Sequence, residues 1–147
     1  MPIRLTYDRT LESLKVLWLV HEKEITDLVE LIEGDELEAD YNGLTVTTAT
    51  EINRFFDETF KAKPMYANDL PEKYLQVELL KKLATPKYVK LIASSETRAG
   101  NYYFGSEIPN ILDVELVCTL LKMGEININK MMPNKAFAKA ADLIGLR

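Results

Sequence analysis

The sequence is poor in the residues that form disulfides, zinc sites and most redox centres. It has one cysteine, Cys118, and one histidine, His21, among its 147 residues. A single cysteine cannot close an internal disulfide, and one histidine without a cysteine cluster cannot complete a protein zinc site. We therefore expect no metal ion, no cofactor and a reducing, cytoplasmic environment.

Long apolar runs are also missing. The longest spans five residues, Val16 to Val20, far short of the run of roughly 20 that a membrane span needs. The amino-terminal stretch MPIRLTYDRT has no apolar segment behind a basic start, which is not typical of a secretory signal. Glycine and proline number only six each, which excludes fibrous and low-complexity chains. The sequence thus predicts no membrane association.

The rest of the composition is that of an ordinary globular domain. Apolar residues make up 47% of the chain and charged residues 28%, which is enough to close one core at this length. We expect one domain over residues 1–147. If a subdomain boundary exists, the loop-like stretch 63–71 is the best place for it.

The amino-terminal third predicts a strand followed by a long helix. Ile3, Leu5 and Tyr7 alternate with polar residues, which indicates a short half-buried strand. From about Thr10 to Glu33 a heptad seam runs along the chain and contains Leu11, Leu14, Trp18, His21, Ile25, Leu28 and Ile32. This pattern favours one helix that ends at Gly34, and a central strand over Leu14–Val20 is the alternative.

The clearest local signal is the pair Asn42-Gly43, which is preferred in two-residue hairpin turns because both positions need positive φ. It predicts a hairpin between residues 36–41 and 44–47, in which Tyr41 faces Leu44 and Ala39 faces Val46. Asp40 and Glu38 then face Thr45 and Thr47. One face of the hairpin is apolar and the other polar, as a half-buried hairpin requires.

Caps and apolar periodicity predict further helices along the rest of the chain. One follows the capping-box motif Thr48-Ala49-Thr50-Glu51, one carries Leu75 to Leu83, and a short one restarts at Pro86. Two more begin after Asn110 and Asn134 and end at Gly124 and Gly145.

Two brief strands are expected at Tyr102–Phe104 and Ile126–Ile128. Strands mixed with several helices, without regular alternation of the two, favour an α+β fold. The long amino-terminal helix, the Asn-Gly hairpin and the further helices should pack on a small sheet.

Charge is unevenly distributed along the chain, although its net value is only −5. Residues 21–40 carry nine acids and one base, Lys23. Such a surface can dock a basic partner. The leading hypothesis is therefore a non-enzymatic protein-binding module, such as an inhibitor, immunity-type protein, chaperone or adaptor. The partner would be a protein with a basic surface, a homodimer is also predicted through the heptad seam, and the binding residues would be Glu22, Asp27, Glu30, Glu33, Glu36, Glu38 and Asp40.

A basic and aromatic segment supports a second hypothesis, that of a nucleic-acid-binding accessory protein. Lysines and arginines interleaved with tyrosines can bind phosphates and stack bases. The candidate residues are Lys81, Lys82, Lys87, Lys90, Arg98, Tyr102 and Tyr103. The overall acidity of the chain counts against this role.

Enzymatic activity has no positive motif in its favour, and the balance leans against it. No calcium loop, zinc-protease motif or glycine-rich phosphate loop is present. The third hypothesis is a small enzyme that uses paired carboxylates or a Cys118–His21 pair, provided the fold brings those two side chains together.

Overall fold

The computed structural model describes residues 3–89 and 109–146. The described chain divides into two compact units. One is Met1–Lys63 together with Asn129–Arg147, and the other is Pro64–Ile128. The predicted strand at Tyr102–Phe104 lies outside the described residues.

A four-stranded mixed sheet organises the first unit. Its strands are β1 (Ile3–Tyr7), β2 (Val29–Glu33), β3 (Glu38–Tyr41) and β4 (Leu44–Val46). The spatial order is β2-β1-β3-β4: β2 pairs with β1 in parallel, and β3 is antiparallel to both β1 and β4. Ile3, Leu5 and Tyr7 of β1 are buried and Arg4 is exposed, as the alternation predicts.

The prediction of one helix from Thr10 to Glu33 is wrong. Helix α1 covers Leu11–Glu22, and the chain then returns as strand β2. Glu24 occupies the left-handed region at φ 57°, and the amides of Glu24 and Ile25 donate to the carbonyls of His21 and Val20. This is a Schellman end, which usually carries glycine at the left-handed position.

The heptad seam fails beyond that point because its second half is not helical. Leu28, expected in the seam, is 54% exposed, and Val29 to Glu33 pair with Ile3 to Tyr7 in register. The alternative of a strand over Leu14–Val20 is also wrong, since these residues form the buried part of α1. Gly34 ends a strand and not a helix. A Cβ there would lie 2.5 Å from Thr6 Cγ2, so any side chain at position 34 would force the Thr6 methyl group to move.

The Asn-Gly hairpin is confirmed with its register. Tyr41 pairs with Leu44, Asp40 with Thr45 and Ala39 with Val46. Asn42 and Gly43 both have positive φ, at 50° and 83°. The apolar face is only partly covered, because Ala39 is buried while Leu44 is 60% exposed.

Three helices complete the first unit: α1, α2 (Ala49–Thr59) and α5 (Lys135–Leu143). Both α2 and α5 pack against α1. The Trp18 and Phe137 rings meet edge to face at 5.1 Å between centroids, and both are fully buried. Glu22 accepts hydrogen bonds from Trp18 Nε1 and Asn134 Nδ2, so the end of α1 is also tied to the start of α5.

A buried lysine joins the end of α1 to the end of α2. Lys23 Nζ lies 2.7 Å from Asp57 Oδ1 and donates to the carbonyls of Ala62 and Lys63 at 3.0 and 3.2 Å. The Lys23 side chain is 0% exposed and that of Asp57 is 6% exposed. All three protons of the ammonium therefore have acceptors, which is the condition for burying such a charge.

The second unit is helical in its described part, with α3 (Leu70–Lys82) and α4 (Ile111–Met123) in contact. The predicted start of a helix at Pro86 is confirmed, since residues 86–89 are helical. The expected inner face of α3 is not buried as predicted: Leu83 is buried but Leu75 is 64% exposed. A 3-10 turn at Ile128–Lys130 replaces the predicted strand at Ile126–Ile128.

The caps of α4 and α5 are those expected. Asn110 and Asn134 cap the two amino termini, and Gly124 and Gly145 adopt left-handed φ values of 71° and 70° just past the carboxyl ends. The predicted α+β class is thus confirmed, with a shorter first helix than expected. Within residues 3–89 and 109–146, no helix is long and apolar enough to cross a membrane.

Candidate functional site

A crevice of about 500 Å³ opens at one edge of the sheet in the first unit. Strands β1, β2 and β4 run in the same direction and end at this edge, while β3 begins there. Crevices outside the carboxyl ends of strands are the usual ligand sites of open sheets. The described residues that line it are Asp8, Thr10, Glu12, Glu36, Leu37, Thr47, Thr48, Ala49 and Thr50.

Two helices begin at this crevice, each directly after a strand. Thr10 caps α1 after β1, and its side chain accepts from the amide of Ser13. Thr48 caps α2 after β4, and its side chain accepts from the amide of Glu51. The remaining first-turn amides of a helix have no acceptor within the helix, and the helix dipole gives them partial positive charge. The crevice therefore offers two backbone sites for anionic groups.

The loop that leads into α1 is held by the carboxylate of Asp8. Its Oδ1 accepts from the Thr10 hydroxyl at 2.6 Å, from the Ser13 hydroxyl at 2.7 Å and from the Thr10 amide at 3.1 Å. Burial raises the pKa of Asp8, but the hydrogen bonds from Thr10 and Ser13 outweigh it and leave the pKa below its ordinary value of 3.8. Asp8 is therefore a fixed anion at neutral pH.

The floor of the crevice is apolar and its rim is polar. Leu37 and Ala49 are buried, whereas Thr47, Thr48 and Thr50 are exposed and carry hydroxyls. An apolar floor with a few convergent polar groups is the general form of a small-molecule site. None of the nine described lining residues is lysine, arginine, histidine or cysteine.

Six of the seven acidic residues expected to bind a partner are not among the described residues that line the crevice. Glu36 alone among them lines it. Glu30 and Glu33 at the edge strand pair with Arg4 at 3.5 Å and Arg9 at 3.2 Å. Glu22 receives the bonds from Trp18 and Asn134 described above, Asp27 is exposed, and Glu38 and Asp40 lie on β3. Partner binding by these seven residues stays a prediction.

The basic set falls partly outside the described chain, namely at Lys90, Arg98, Tyr102 and Tyr103. In the described part, Lys81 pairs with Glu78 at 3.1 Å and Lys82 lies over the Tyr88 ring at 5.8 Å from its centroid, while Lys87 is exposed. These contacts are local to the second unit. Nucleic-acid binding by this set also stays a prediction.

The predicted Cys118–His21 pair stays a prediction. His21 Nδ1 lies 2.8 Å from the Leu17 carbonyl in its own helix. Cys118 is 1% exposed on α4 of the other unit. Across residues 3–89 and 109–146 there is also no group of three or more acidic, histidine or cysteine side chains placed to hold a metal ion.

Most crevice residues were missed as functional residues by the sequence analysis. Asp8 and Thr10 lie on the connection between β1 and α1, and Thr47 and Thr50 lie at the start of α2; Thr50 falls inside the capping-box motif, but that motif predicted a helix start and not a ligand site. The one usable signal was a threonine cap that directly follows a predicted strand, which occurs at Thr48 and also at Thr10.

The architecture matches solved structures over almost the whole chain. A glutathione transferase homologue from Burkholderia, solved with bound glutathione, aligns with a TM-score of 0.73 at 12% identity, covering 99% of each chain. A glutathione S-transferase from Legionella pneumophila aligns at 0.72 and 16% identity, covering 98% of this chain and 100% of that one. The chain has the glutathione transferase fold.

A third match to this fold is a theta-class glutathione S-transferase from Xanthomonas axonopodis pv. citri. Its TM-score is 0.70 at 14% identity, with 95% of this chain and 97% of that chain covered. No protein-family model matches the sequence, and no curated protein is recognisably similar to it in sequence. At sequence identities of 12% to 16%, these structural matches establish a shared fold and no specific activity.

The glutathione transferase fold overturns the leading functional hypothesis. A non-enzymatic inhibitor, immunity-type protein, chaperone or adaptor was expected, and the lean was against an enzyme. Both predictions are wrong, because the structures that share the whole fold are consistently enzymes. The predicted homodimer stays a prediction.

Proposed function

We propose that the chain is a thiol-dependent transferase that binds a small thiol compound of the glutathione type in the crevice. The observation that carries this proposal is the position of the crevice. It lies at the strand ends, between the amino termini of α1 and α2, in a chain that shares its fold with glutathione transferases from end to end. The fold alone does not assign an activity, so the site must supply the chemistry.

The reacting sulfur would come with the substrate. No cysteine occurs among the nine described lining residues, and Cys118 is buried on α4. The thiolate is the reactive form of a thiol, and its ordinary pKa is about 8.5. A helix amino terminus stabilises a nearby anion by about 0.3 to 1 kcal/mol, which lowers a thiol pKa by up to roughly 0.7 units. Hydrogen bonds from first-turn amides would add to this.

Each element of the crevice then has a role. The start of α1 receives the thiolate, and the start of α2, with the hydroxyl of Thr50, receives a substrate carboxylate. Asp8 is a positioning residue, because its bonds to Thr10 and Ser13 hold the first turn of α1 in place. The thiolate attacks an electrophilic carbon and forms a carbon–sulfur bond, the leaving group departs with its electron pair, and the thiol proton passes to solvent.

A steric block of the crevice tests the proposal. Turnover of chlorodinitrobenzene would be followed by absorbance with glutathione and with a panel of other small thiols. Thr50→Trp places an indole in the crevice, whereas Thr59→Trp changes another exposed threonine at the other end of α2. We expect kcat/KM to fall at least about tenfold in T50W only, which corresponds to 1.4 kcal/mol of lost transition-state binding.

The controls define what would overturn the transferase proposal. Both variants must retain the thermal unfolding profile of the parent chain. If no thiol in the panel reacts faster with the chain than with its heat-unfolded form, the proposal fails. Equal losses in T50W and T59W would show that the reaction does not take place in the crevice.

A further inference from the structure

The charge of the crevice constrains the thiol that it can accept. Its described lining contributes three carboxylates, Asp8, Glu12 and Glu36, and no cationic side chain. Glu12 already pairs with Lys15 at 3.0 Å. Arg9 belongs to the loop that carries Asp8, but it lies outside the lining and pairs with Glu33. Asp8 and Glu36 therefore set the local charge.

The Asp8 carboxylate stays ionised at neutral pH, because its pKa lies below the ordinary value of 3.8. Asp8 is held by hydroxyl and amide donors, which favour its charged form. Glu36 is exposed on the short connection between β2 and β3. Among the described residues, the crevice thus has a negative rim, and the two helix amino termini contribute positive potential.

The size of the crevice sets the distance between the rim charges and the charges of a bound ligand, and therefore the strength of their interaction. A sphere of 500 Å³ has a radius of about 5 Å, so a rim charge lies about 5 to 8 Å from a bound ligand's own charges. At that distance and with the dielectric constant of water, about 80, each pair of charges changes affinity by a factor of about two to four. Glutathione carries two carboxylates and one ammonium at neutral pH, so its net charge is negative.

We propose that the crevice selects a thiol that carries an ammonium group and no more than one carboxylate, an aminothiol or a carboxyl-capped thiol peptide. The proposal rests on the proposed function and names the substrate class of the same site. The ammonium is placed against Asp8 and Glu36, and the single carboxylate or the thiolate is placed at a helix amino terminus.

Glutathione and its glycine monoethyl ester form a matched pair for the test, because they share the thiol and the ammonium and differ by one carboxylate. Binding of each to the full chain is measured by titration calorimetry, and kcat/KM with chlorodinitrobenzene is divided by the uncatalysed rate constant. We expect the ester to be preferred by about four- to sixteenfold at low ionic strength, because the carboxylate that it lacks would meet two rim charges. That preference should disappear near 1 M salt, where the screening length is about 3 Å.

Removing one rim carboxylate tests whether Glu36 produces the preference for the ester. Glu36→Gln should reduce the preference for the ester by about threefold, mainly through tighter glutathione binding. Glu58→Gln is the control, since it removes an exposed carboxylate at the far end of α2 and should leave the preference unchanged.

The outcomes separate this inference from the transferase proposal. Tighter binding of the ester without turnover supports the charge selectivity and refutes the transferase. Turnover in which glutathione equals or exceeds the ester, at all salt concentrations, overturns the selectivity and leaves the transferase standing. If neither glutathione nor its ester binds, both the charge selectivity and the transferase proposal are overturned.

Discussion

The buried Lys23–Asp57 pair permits a quantitative prediction for Lys23→Met. The substitution keeps the volume of the side chain but removes an ammonium that is 0% exposed and bonded to three oxygens. The buried carboxylate of Asp57 then loses its ion pair with Lys23, and the Ala62 and Lys63 carbonyls lose a donor. Breaking such a pair costs about 3 to 5 kcal/mol, since desolvation of the remaining charge is no longer offset. For a chain of this size, that lowers Tm by roughly 10 to 15 °C.

Trp18 makes the measurement specific to the first unit. It is the single tryptophan of the chain, it is fully buried against Phe137, and it belongs to the same unit as Lys23. Urea unfolding followed by tryptophan fluorescence therefore reports the unit in which the pair lies. Lys63→Met is the control, because the Lys63–Glu24 pair is 54% and 70% exposed and such exposed pairs contribute little to stability.

A double variant separates the ion pair from the other bonds of the ammonium. Lys23→Met with Asp57→Leu removes both charges, so it should regain part of the stability lost in the single variant. Full recovery is not expected, because the Ala62 and Lys63 carbonyls each still lack the hydrogen bond from Lys23, and each lost bond costs about 1 kcal/mol of stability. If Lys23→Met cost no more than Lys63→Met, the buried pair would not contribute as argued.

Three further predictions concern packing and pH in the first unit. Phe137→Ala should lower the unfolding free energy by about 3 to 5 kcal/mol, because it deletes a fully buried ring; a loss below about 1 kcal/mol in urea titration would contradict the docking of α5 on α1. Gly34→Ala should cost about 1 to 3 kcal/mol through the clash with Thr6 Cγ2, and adding Thr6→Ser, which removes that methyl, should restore most of it. The folded pKa of Asp8 is lower than its unfolded value of 3.8, so its contribution to stability is present above that pH and is lost as pH falls through the folded pKa. Asp8→Asn should therefore lower Tm at pH 7, and its Tm should approach that of the parent chain in acid; an unchanged gap at low pH would refute this.

Local interactions account for the elements that the sequence analysis predicted well. The pair Asn42-Gly43 requires its turn and therefore sets the register of Tyr41 against Leu44. Asn110 and Asn134 satisfy amides two or three residues away, and Gly124 needs only its own left-handed φ. Each of these signals acts within a few residues, so it can be interpreted without the tertiary structure.

The largest error has an equally physical origin. Ile25, Leu28 and Ile32 match a helical seam, yet the chain leaves the helix at Glu24, where a glutamate holds the left-handed position that glycine usually takes. Residues Val29 to Glu33 then gain backbone partners on β1, 26 residues away in sequence at Ile3 and Val29. A parallel pairing joins strands that are far apart in sequence, so the local apolar pattern does not determine it.

The sequence by itself determined the α+β class, the hairpin and most helix ends, because short-range hydrogen bonds and φ preferences decide these features. Only the tertiary structure decided that β2 lies beside β1 and that the ends of three strands meet at one edge. The crevice depends on that meeting, since residues 8–12, 36–37 and 47–50 come together through the sheet and not through their spacing in the chain.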